Sequence, residues 1–303
     1  MSTEAGPFVS YGNNPNPAGG GAVNTNAGPG AMFGGNGFLD PRVGVDTTRK
    51  GWIGVGVEYR RVLAQVPSTK GTAKIAALAN VSSGVAMTLA AASTGITVLG
   101  TGGLYVNGSG NTVPAAALVL DGNPTITSYG LANPAGNYNN NAYTLGTLLA
   151  RAVSVTGVSG GAGGAFLVTG YDVYGYPMTE TITAAAGVAT TNGAKAFKFV
   201  TSVKPQFTDA HNYSVGTTDI FGFPVKAAFW HETLVYWNST LITASTGFVA
   251  ADATSPATAT TGDVRGTYAV QDAADGTKRL SMVVGPSQAT LATAAGLFGV
   301  TPA

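Results

Sequence analysis

The chain has 303 residues, no cysteine and a formal net charge of +1, and only 10% of its residues are charged. The absence of cysteine excludes disulfide bonds and thiolate metal sites, and a near-neutral chain is not typical of nucleic-acid-binding proteins. An average soluble protein is roughly 25% charged. This composition therefore predicts a surface of small polar residues that repels neighbouring subunits only weakly and suits a protein that assembles.

Residues 1–41 differ in texture from the remainder of the chain. They are rich in Gly, Asn and Pro, and no charged residue occurs between Glu4 and Asp40. No helical or strand periodicity gives this segment a face to bury, so it is either a disordered tail or an extended arm that orders against a neighbouring subunit. Large aromatic residues favour the arm, because a purely solvating linker rarely carries them. They include Phe8, Tyr11, Phe33 and Phe38.

Residues 42–74 hold seven basic residues against Asp46 and Glu58. A solvated basic face is one interpretation, and electrostatic docking on an acidic partner surface is the alternative. The basic residues that we expect at such a partner interface are Arg42, Arg49, Lys50, Arg60 and Arg61. Between them, the apolar residues of 52–59 predict a strand.

From residue 75 to 150 Ala, Thr, Val and Gly dominate, and periodicity does not decide between helices and strands at 74–80 and 85–92. Short strands are predicted at 104–106 and 115–120. Helical spacing predicts one short helix ahead of Val153, carried by Leu145, Leu148, Leu149 and Ala152. We expect residues 42–150 to form one β-rich region.

Residues 151–303 carry the strongest β signal. Short runs of β-branched and aromatic residues are bounded by Gly, Asn or Pro, at 165–171, 178–184, 196–203, 234–237 and 280–284. Short strands at this spacing are typical of a β-sandwich or jelly roll. The predicted fold class is therefore mainly β, with a sandwich-like domain over 151–303 and an extended Gly/Asn-rich arm over 1–41.

A six-residue pattern occurs twice, 47 residues apart. Asp, a β-branched residue, an aromatic, Gly, an aromatic and Pro stand at 172–177 and again at 219–224. Glycine at positive φ and Pro at a sheet edge predict two equivalent structural turns, in which the aspartate accepts hydrogen bonds from turn amides. The residues in this prediction are Asp172, Tyr174, Gly175, Pro177, Asp219, Phe221, Gly222 and Pro224.

Motifs for chemistry are weak. G-x-S-x-G occurs around Ser159, but a β-like run follows it where a nucleophile elbow needs a helix. His231-Glu232 begins like a zinc motif whose second histidine position holds Val235, and Asp272–Gly276 lacks the spacing of a calcium loop. We therefore expect no catalytic residue, no metal site and no cofactor. We also expect no secretory signal and no membrane span, because no run of about 20 apolar residues exists.

Five segments of the second half carry a resemblance to known proteins. They are VTGVSGG at 155–161, GYDVYGYPMTETIT at 170–183, GTTDIFGFP at 216–224, TTGDVRGTY at 260–268 and GLFGV at 296–300. With these segments, the chain from Arg151 onward resembles a widespread set of tailed-bacteriophage virion proteins from head gene modules. Such proteins look like capsid decoration (cement) proteins, and the resemblance supplies no catalytic residues.

The resemblance implies a non-enzymatic protein that is made in the host cytoplasm and sits on the capsid surface. Its partners would be the major capsid protein and other copies of itself, as a dimer or trimer, with no nucleic acid and no membrane. Residues 42–150 would then contact the shell. The alternative is a receptor-binding or fibre-associated virion module that stacks glycans on aromatic residues, for which the candidates are Tyr174, Tyr176, Phe221, Phe223 and Trp237.

Overall fold

The computed structural model describes residues 60–99, 104–105, 112–121, 149–173, 175–252, 254, 262–284 and 302. Over these ranges the chain is mainly β and contains almost no helix, which confirms the predicted fold class. The predicted arm over 1–41 lies outside the described residues, as does the strand predicted at 52–59.

The strands follow one another in chain order with one short 3-10 helix among them, at Trp230–Glu232. They are β1 (Arg60–Gln65), β2 (Gly71–Val81), β3 (Ile96–Val98), β4 (Leu104–Tyr105), β5 (Thr112–Val113), β6 (Leu118–Leu120), β7 (Ala150–Gly157), β8 (Gly164–Tyr171), β9 (Pro177–Ala184), β10 (Thr190–Phe197), β11 (Phe199–Pro205), β12 (Asp209–Gly222), β13 (Thr233–Trp237), β14 (Thr240–Ile242), β15 (Phe248–Val249), β16 (Thr267–Ala269) and β17 (Leu280–Val284).

Three antiparallel sheets build the fold. Sheet I has the order β10-β7-β12-β16-β15, with β2 also paired to β12. Sheet II has the order β3-β6-β11-β8-β9, and sheet III the order β1-β17-β13-β14. The small ladder β4-β5 stands apart from all three.

Sheets I and II face each other across the main core, as a β-sandwich requires. Strands β8 and β9 alternate between buried and half-exposed residues, which directs one face of each strand inward. Phe166 and Ile182 of sheet II pack in one cluster with Val153 and Val215 of sheet I. Full burial of such a side chain contributes about 1.5–3 kcal/mol.

A second core fills the space between sheet III and the other end of sheet I. It contains Phe221 and Tyr268 from sheet I and Val235, Trp237 and Met282 from sheet III. Strand β12 is long enough to serve both cores, because its first half pairs with β7 and β2 and its last residues pair with β16.

The two open sides of the sandwich are closed in different ways. On one side the chain after β2 crosses between the sheets through backbone bonds: Met87 N–H donates to Val203 O at 2.9 Å, and Ala90 N–H donates to Ile75 O at 2.8 Å. On the other side the Glu180 carboxylate of β9 accepts the Ala194 and Lys195 amides of β10, where the β10–β7 ladder is shifted.

Two local predictions are wrong. The run 196–203 is two strands, because the chain leaves sheet I at Phe197 and enters sheet II at Phe199. The helix predicted ahead of Val153 is absent from its described residues 149–152, where Ala150 instead begins β7. Long-range pairing with β10 and β12 overrides the helical spacing of those leucines and alanines.

Strands from both sides of residue 150 share every large sheet. β1 pairs with β17, β2 with β12 and β6 with β11. The division into regions 42–150 and 151–303 stays a prediction about organisation along the chain.

Candidate functional site

The first copy of the repeated pattern forms the predicted turn between β8 and β9. Tyr176 N–H donates to Asp172 Oδ1 at 2.9 Å, and Gly175 N–H donates to Asp172 O at 3.2 Å. Gly175 has a φ of +74°, and Pro177 opens β9. Tyr174 lies outside the described residues.

The second copy is not a turn, and this prediction is wrong. Asp219 to Gly222 are the last residues of β12, and Phe221 pairs with Tyr268 of β16. Gly222 is needed for space and not for positive φ, because a Cβ there would lie 2.6 Å from the Ala196 Cβ. Pro224 follows as a buried residue after the strand. The pattern alone does not distinguish these two uses of glycine.

Both aspartates of the repeat nevertheless have the same kind of partner, a buried arginine. Arg265 Nη1 lies 3.1 Å from Asp172 Oδ2, and Arg151 Nη2 lies 3.0 Å from Asp219 Oδ1. Removing one partner of a buried ion pair leaves an uncompensated charge, which typically costs 3–5 kcal/mol. The repeated aspartates therefore have a structural role in holding the sheets together.

Arg151 lies at the centre of the larger network. Its Nη1 is 2.8 Å from Asp121 Oδ2, and it also donates to Ser68 O at 2.8 Å. Its Nε donates to Thr218 O, and its guanidinium lies 4.9 Å from the Phe221 ring centroid. This one side chain thus connects β7, β12, the segment that joins β1 to β2, and the residue that follows β6.

Lys198 supports the same network from the crossing between β10 and β11. Its Nζ donates to three carbonyls, Leu120 O at 3.1 Å, Asp121 O at 3.3 Å and Leu149 O at 3.1 Å. Burial lowers the pKa of Lys198 to about 8, against the opposing influence of Asp121. Such a lysine satisfies buried backbone oxygens that the ladders leave unpaired.

Eight charged side chains are buried in the part of the chain that the structure describes. They are Asp121, Arg151, Asp172, Glu180, Lys195, Lys198, Asp263 and Arg265. Charged residues are rarely buried unless they are paired. Because the chain has few charges to begin with, this burial removes a large share of them from the surface.

The basic residues predicted at a partner interface fall into two groups. Arg42, Arg49 and Lys50 lie outside the described residues, together with Phe8, Tyr11, Phe33 and Phe38. Arg60 and Arg61 lie in β1, opposite Val284 and Val283 of β17.

The two lysines that end the basic segment bind within the chain. Lys70 Nζ lies 2.9 Å from Asp219 Oδ2, while Lys74 Nζ donates to Thr94 O at 2.7 Å and to Thr69 O. Burial lowers the pKa of Lys74, and the neighbouring Arg151 charge lowers it further. These two charges therefore contribute to intramolecular contacts.

Three aromatics proposed for glycan stacking are in the second core. Phe221, Phe223 and Trp237 are 0%, 1% and 5% exposed. Tyr176 is partly buried. A sugar ring needs an open aromatic face, so these three side chains cannot form the platform in the folded protein.

The G-x-S-x-G segment lies in a turn between β7 and β8, a strand–turn–strand context that a nucleophile elbow does not have. Asp209 holds this turn from the side: Ala162 N–H and Tyr213 Oη donate to its Oδ2 at 2.9 and 2.7 Å. His211 Nδ1 lies 2.8 Å from Asp209 Oδ1. Hydrogen bonds, first that of the His211 amide, hold the pKa of Asp209 well below its usual range.

At the suggested calcium loop the position beside the carboxylates is taken by an ammonium. Lys278 Nζ lies 3.3 Å from Asp272 Oδ2, 3.7 Å from Asp275 Oδ2 and 3.2 Å from Ala273 O. The loop connects β16 of sheet I to β17 of sheet III, so it is not the hairpin turn that the sequence suggested. Across the described ranges, no three His, Asp or Glu residues stand close enough to hold a metal ion.

Comparison of the chain with protein-family models, with curated proteins and with solved structures finds no match. Among the described residues, no helix has the length and apolar character needed to cross a membrane.

Proposed function

We propose that this chain is a non-enzymatic decoration (cement) protein of a tailed-bacteriophage capsid, which binds the major capsid protein and stabilises the head. The observation that carries the proposal is the burial of eight charged side chains in a chain that has few charges. The surface that remains is mostly small and polar. Such a surface is suited to close packing beside other subunits, because little charge must be desolvated there.

The five segments that resemble phage virion proteins support the same proposal, since several of them meet in the buried ion pairs. Asp172, Asp219 and Arg265 each lie in one of these segments. The likeness therefore includes residues that hold the sandwich together. A protein that strengthens a shell must itself resist unfolding, and paired buried charges in a packed core serve that need.

The mechanism follows from mass action. A protein that binds only assembled shell stabilises it by RT ln(1 + [L]/Kd), and each copy that bridges neighbouring capsid subunits adds buried area at a joint. The arm over 1–41 would run across a neighbouring subunit. Its ordering would cost conformational entropy, which the aromatic residues of the arm would offset by burial.

The experiment is a co-sedimentation assay with capsids assembled from the major capsid protein of the same phage and lacking this chain. We expect the full-length protein to pellet with capsids to a saturating, regular ratio and to raise their temperature of disruption. Binding that does not saturate, or saturation with no change in disruption temperature, would contradict the proposal. Free capsid protein, which lacks the assembled joints, is the matched control.

The receptor-binding alternative has lost part of its basis. Of its five candidate aromatics, Phe221, Phe223 and Trp237 are buried. A glycan-binding role would have to use other residues, so the decoration role is the function that we carry forward.

A further inference from the structure

One surface of the protein combines exposed apolar side chains with an open strand edge. Phe229, Leu241 and Val249 are 56%, 41% and 53% exposed. We name these three residues, together with the outer edge of β14, the β14 patch.

The members of the β14 patch lie in adjoining segments of the fold. Trp230, next to Phe229, has its ring 5.6 Å from that of Phe248, which precedes Val249. The Trp230 indole N–H also donates to Thr243 O at 3.4 Å, just beyond β14. Ala251 N–H donates to Ala227 O at 3.0 Å, which ties the two outer segments together. Their exposed side chains therefore form one surface and not scattered points.

The patch is free of charge along its whole sequence. No charged residue occurs between Glu232 and Asp252. A two-fold interface places each group near its own copy, so like charges would repel there. A neutral patch avoids that penalty, whereas it offers a charged partner no electrostatic gain.

The edge of β14 lacks the usual protection. β14 is the last strand of sheet III and pairs only with β13 among the described strands. Exposed edges are normally blocked by lysine, proline or a bulge, but β14 reads Thr-Leu-Ile. Its unpaired backbone groups can accept another strand.

We propose that a second copy of this chain covers the β14 patch, with the two β14 strands pairing antiparallel about a two-fold axis. Sheet III would then continue from one protomer into the next, and Phe229 and Val249 would lose their exposure beside the joined strands. This dimer does not depend on capsid binding.

The position of the arm favours a second copy over the chain's own N-terminal segment. The 59 residues before Arg60 join sheet III at β1, which is the edge opposite β14. Two strands lie between these edges, so at about 4.8 Å per strand step they are about 14 Å apart. Pairing through β14 leaves the attachment point of the arm outside the dimer interface, where the arm can reach another partner.

The absence of native cysteine allows a direct test by disulfide cross-linking. In an antiparallel pair centred on Leu241, the two Leu241 Cα atoms would lie about 4.5–5.5 Å apart, within the range that a disulfide bridges. Full-length Leu241→Cys protein should form, under mild oxidation, a species of twice the 30.2 kDa chain mass. Val188→Cys is the matched control, because Val188 is 77% exposed and lies outside the patch. It should stay at the chain mass under the same conditions.

Sedimentation of proteins without a cysteine gives the second measurement. We expect the wild-type chain to dimerise and Leu241→Lys to weaken the dimer by roughly tenfold or more, because like charges would face each other across the axis. Val188→Lys should leave dimerisation unchanged. A monomeric wild type, equal effects of the two lysine variants, or equal cross-linking of the two cysteine variants would overturn the proposal.

Other occupants of the patch would give different results. If deletion of residues 1–41 alone converts the dimer into a monomer, the patch binds the arm and the second-copy proposal is wrong. Capsid binding without self-association would overturn the dimer and leave the proposed function standing. Dimerisation without capsid binding would do the reverse.

Discussion

Arg151 and Asp121 form an ion pair in the interior of the protein, with Nη1 and Oδ2 2.8 Å apart and the side chains 1% and 2% exposed. The same guanidinium binds Asp219 and the Ser68 carbonyl. Four distant parts of the chain therefore meet at one residue, and the stability of the whole sandwich depends on that meeting point.

Replacement of Arg151 by Met should be strongly destabilising. The variant leaves Asp121 without its ion pair and Asp219 without one of its two cations, while the hydrocarbon part of the side chain is kept. We expect the free energy of unfolding to fall by about 3–5 kcal/mol. Urea denaturation followed by tryptophan fluorescence would measure it.

Lys278→Met is the control for this prediction, because it breaks ion pairs with Asp272 and Asp275 at the surface. Exposed pairs contribute about 0–1 kcal/mol. Equal losses for the two variants would show that the interior pair has no special weight, contrary to our interpretation of Arg151.

Gly222→Ala should destabilise the protein through crowding, and a second substitution should reverse the effect. The new Cβ would lie 2.6 Å from the Ala196 Cβ, and overpacking of this kind costs about 1–3 kcal/mol. In the double variant Gly222→Ala/Ala196→Gly the space is restored, so we expect most of the loss to be recovered. Denaturation of both single variants and the double variant completes the cycle, and strictly additive losses would refute the contact.

Glu180 should make the protein less stable as the pH rises through neutrality. Burial raises the pKa of Glu180 to about 7 from an ordinary 4.5, although the Ala194 and Lys195 amides and the Lys195 charge act in the opposite direction. Asp263 adds to the rise. The folded state thus favours the protonated carboxyl. Its contribution is fully present below pH 4.5 and is lost as the pH rises to about 7.

The Glu180→Gln variant isolates this effect. Between pH 5 and pH 8 the wild type should lose roughly 2–3 kcal/mol of unfolding free energy relative to the variant. Asp272→Asn, which changes an exposed carboxylate, is the control and should track the wild type. A wild-type-minus-Glu180→Gln difference that stays constant across this pH range would contradict the assignment.

Sequence patterns predicted strands well where one face of a strand is buried. The runs at 165–171 and 178–184 correspond to β8 and β9, whose alternation reflects a covered inner face and an open outer face. The predictions failed at β7, where seven of eight residues are buried. A strand covered on both faces has no alternation, so its residues resemble a helical or featureless run.

The ion pairs could not have been predicted from the sequence. Asp172 and Arg265 are far apart along the chain, and only the fold brings β9, β12 and the loop before β16 together. The repeated aspartates did give a signal, because an aspartate in an apolar context needs a partner when it is buried. The sequence does not say that the partner is an arginine from elsewhere and not the amides of a turn.

The arm over 1–41 should be needed for capsid binding but not for folding, if the decoration role is right. A variant that begins at Arg42 should keep the wild-type far-ultraviolet circular dichroism spectrum and unfolding midpoint. Its occupancy on capsids should fall at least tenfold at equal concentration. Replacement of Phe8, Tyr11, Phe33 and Phe38 by Ser in the full chain should reproduce that loss, and wild-type occupancy of either variant would sink the arm hypothesis.

The decoration role is tested most directly by counting this chain in purified virions against the major capsid protein, with quantitative mass spectrometry of both. We predict a ratio near one or a simple fraction such as one-third, because a protein bound at equivalent sites of an icosahedral shell is present in proportion to its subunits. A handful of copies per particle would contradict the account and would place the chain on the tail or the fibres.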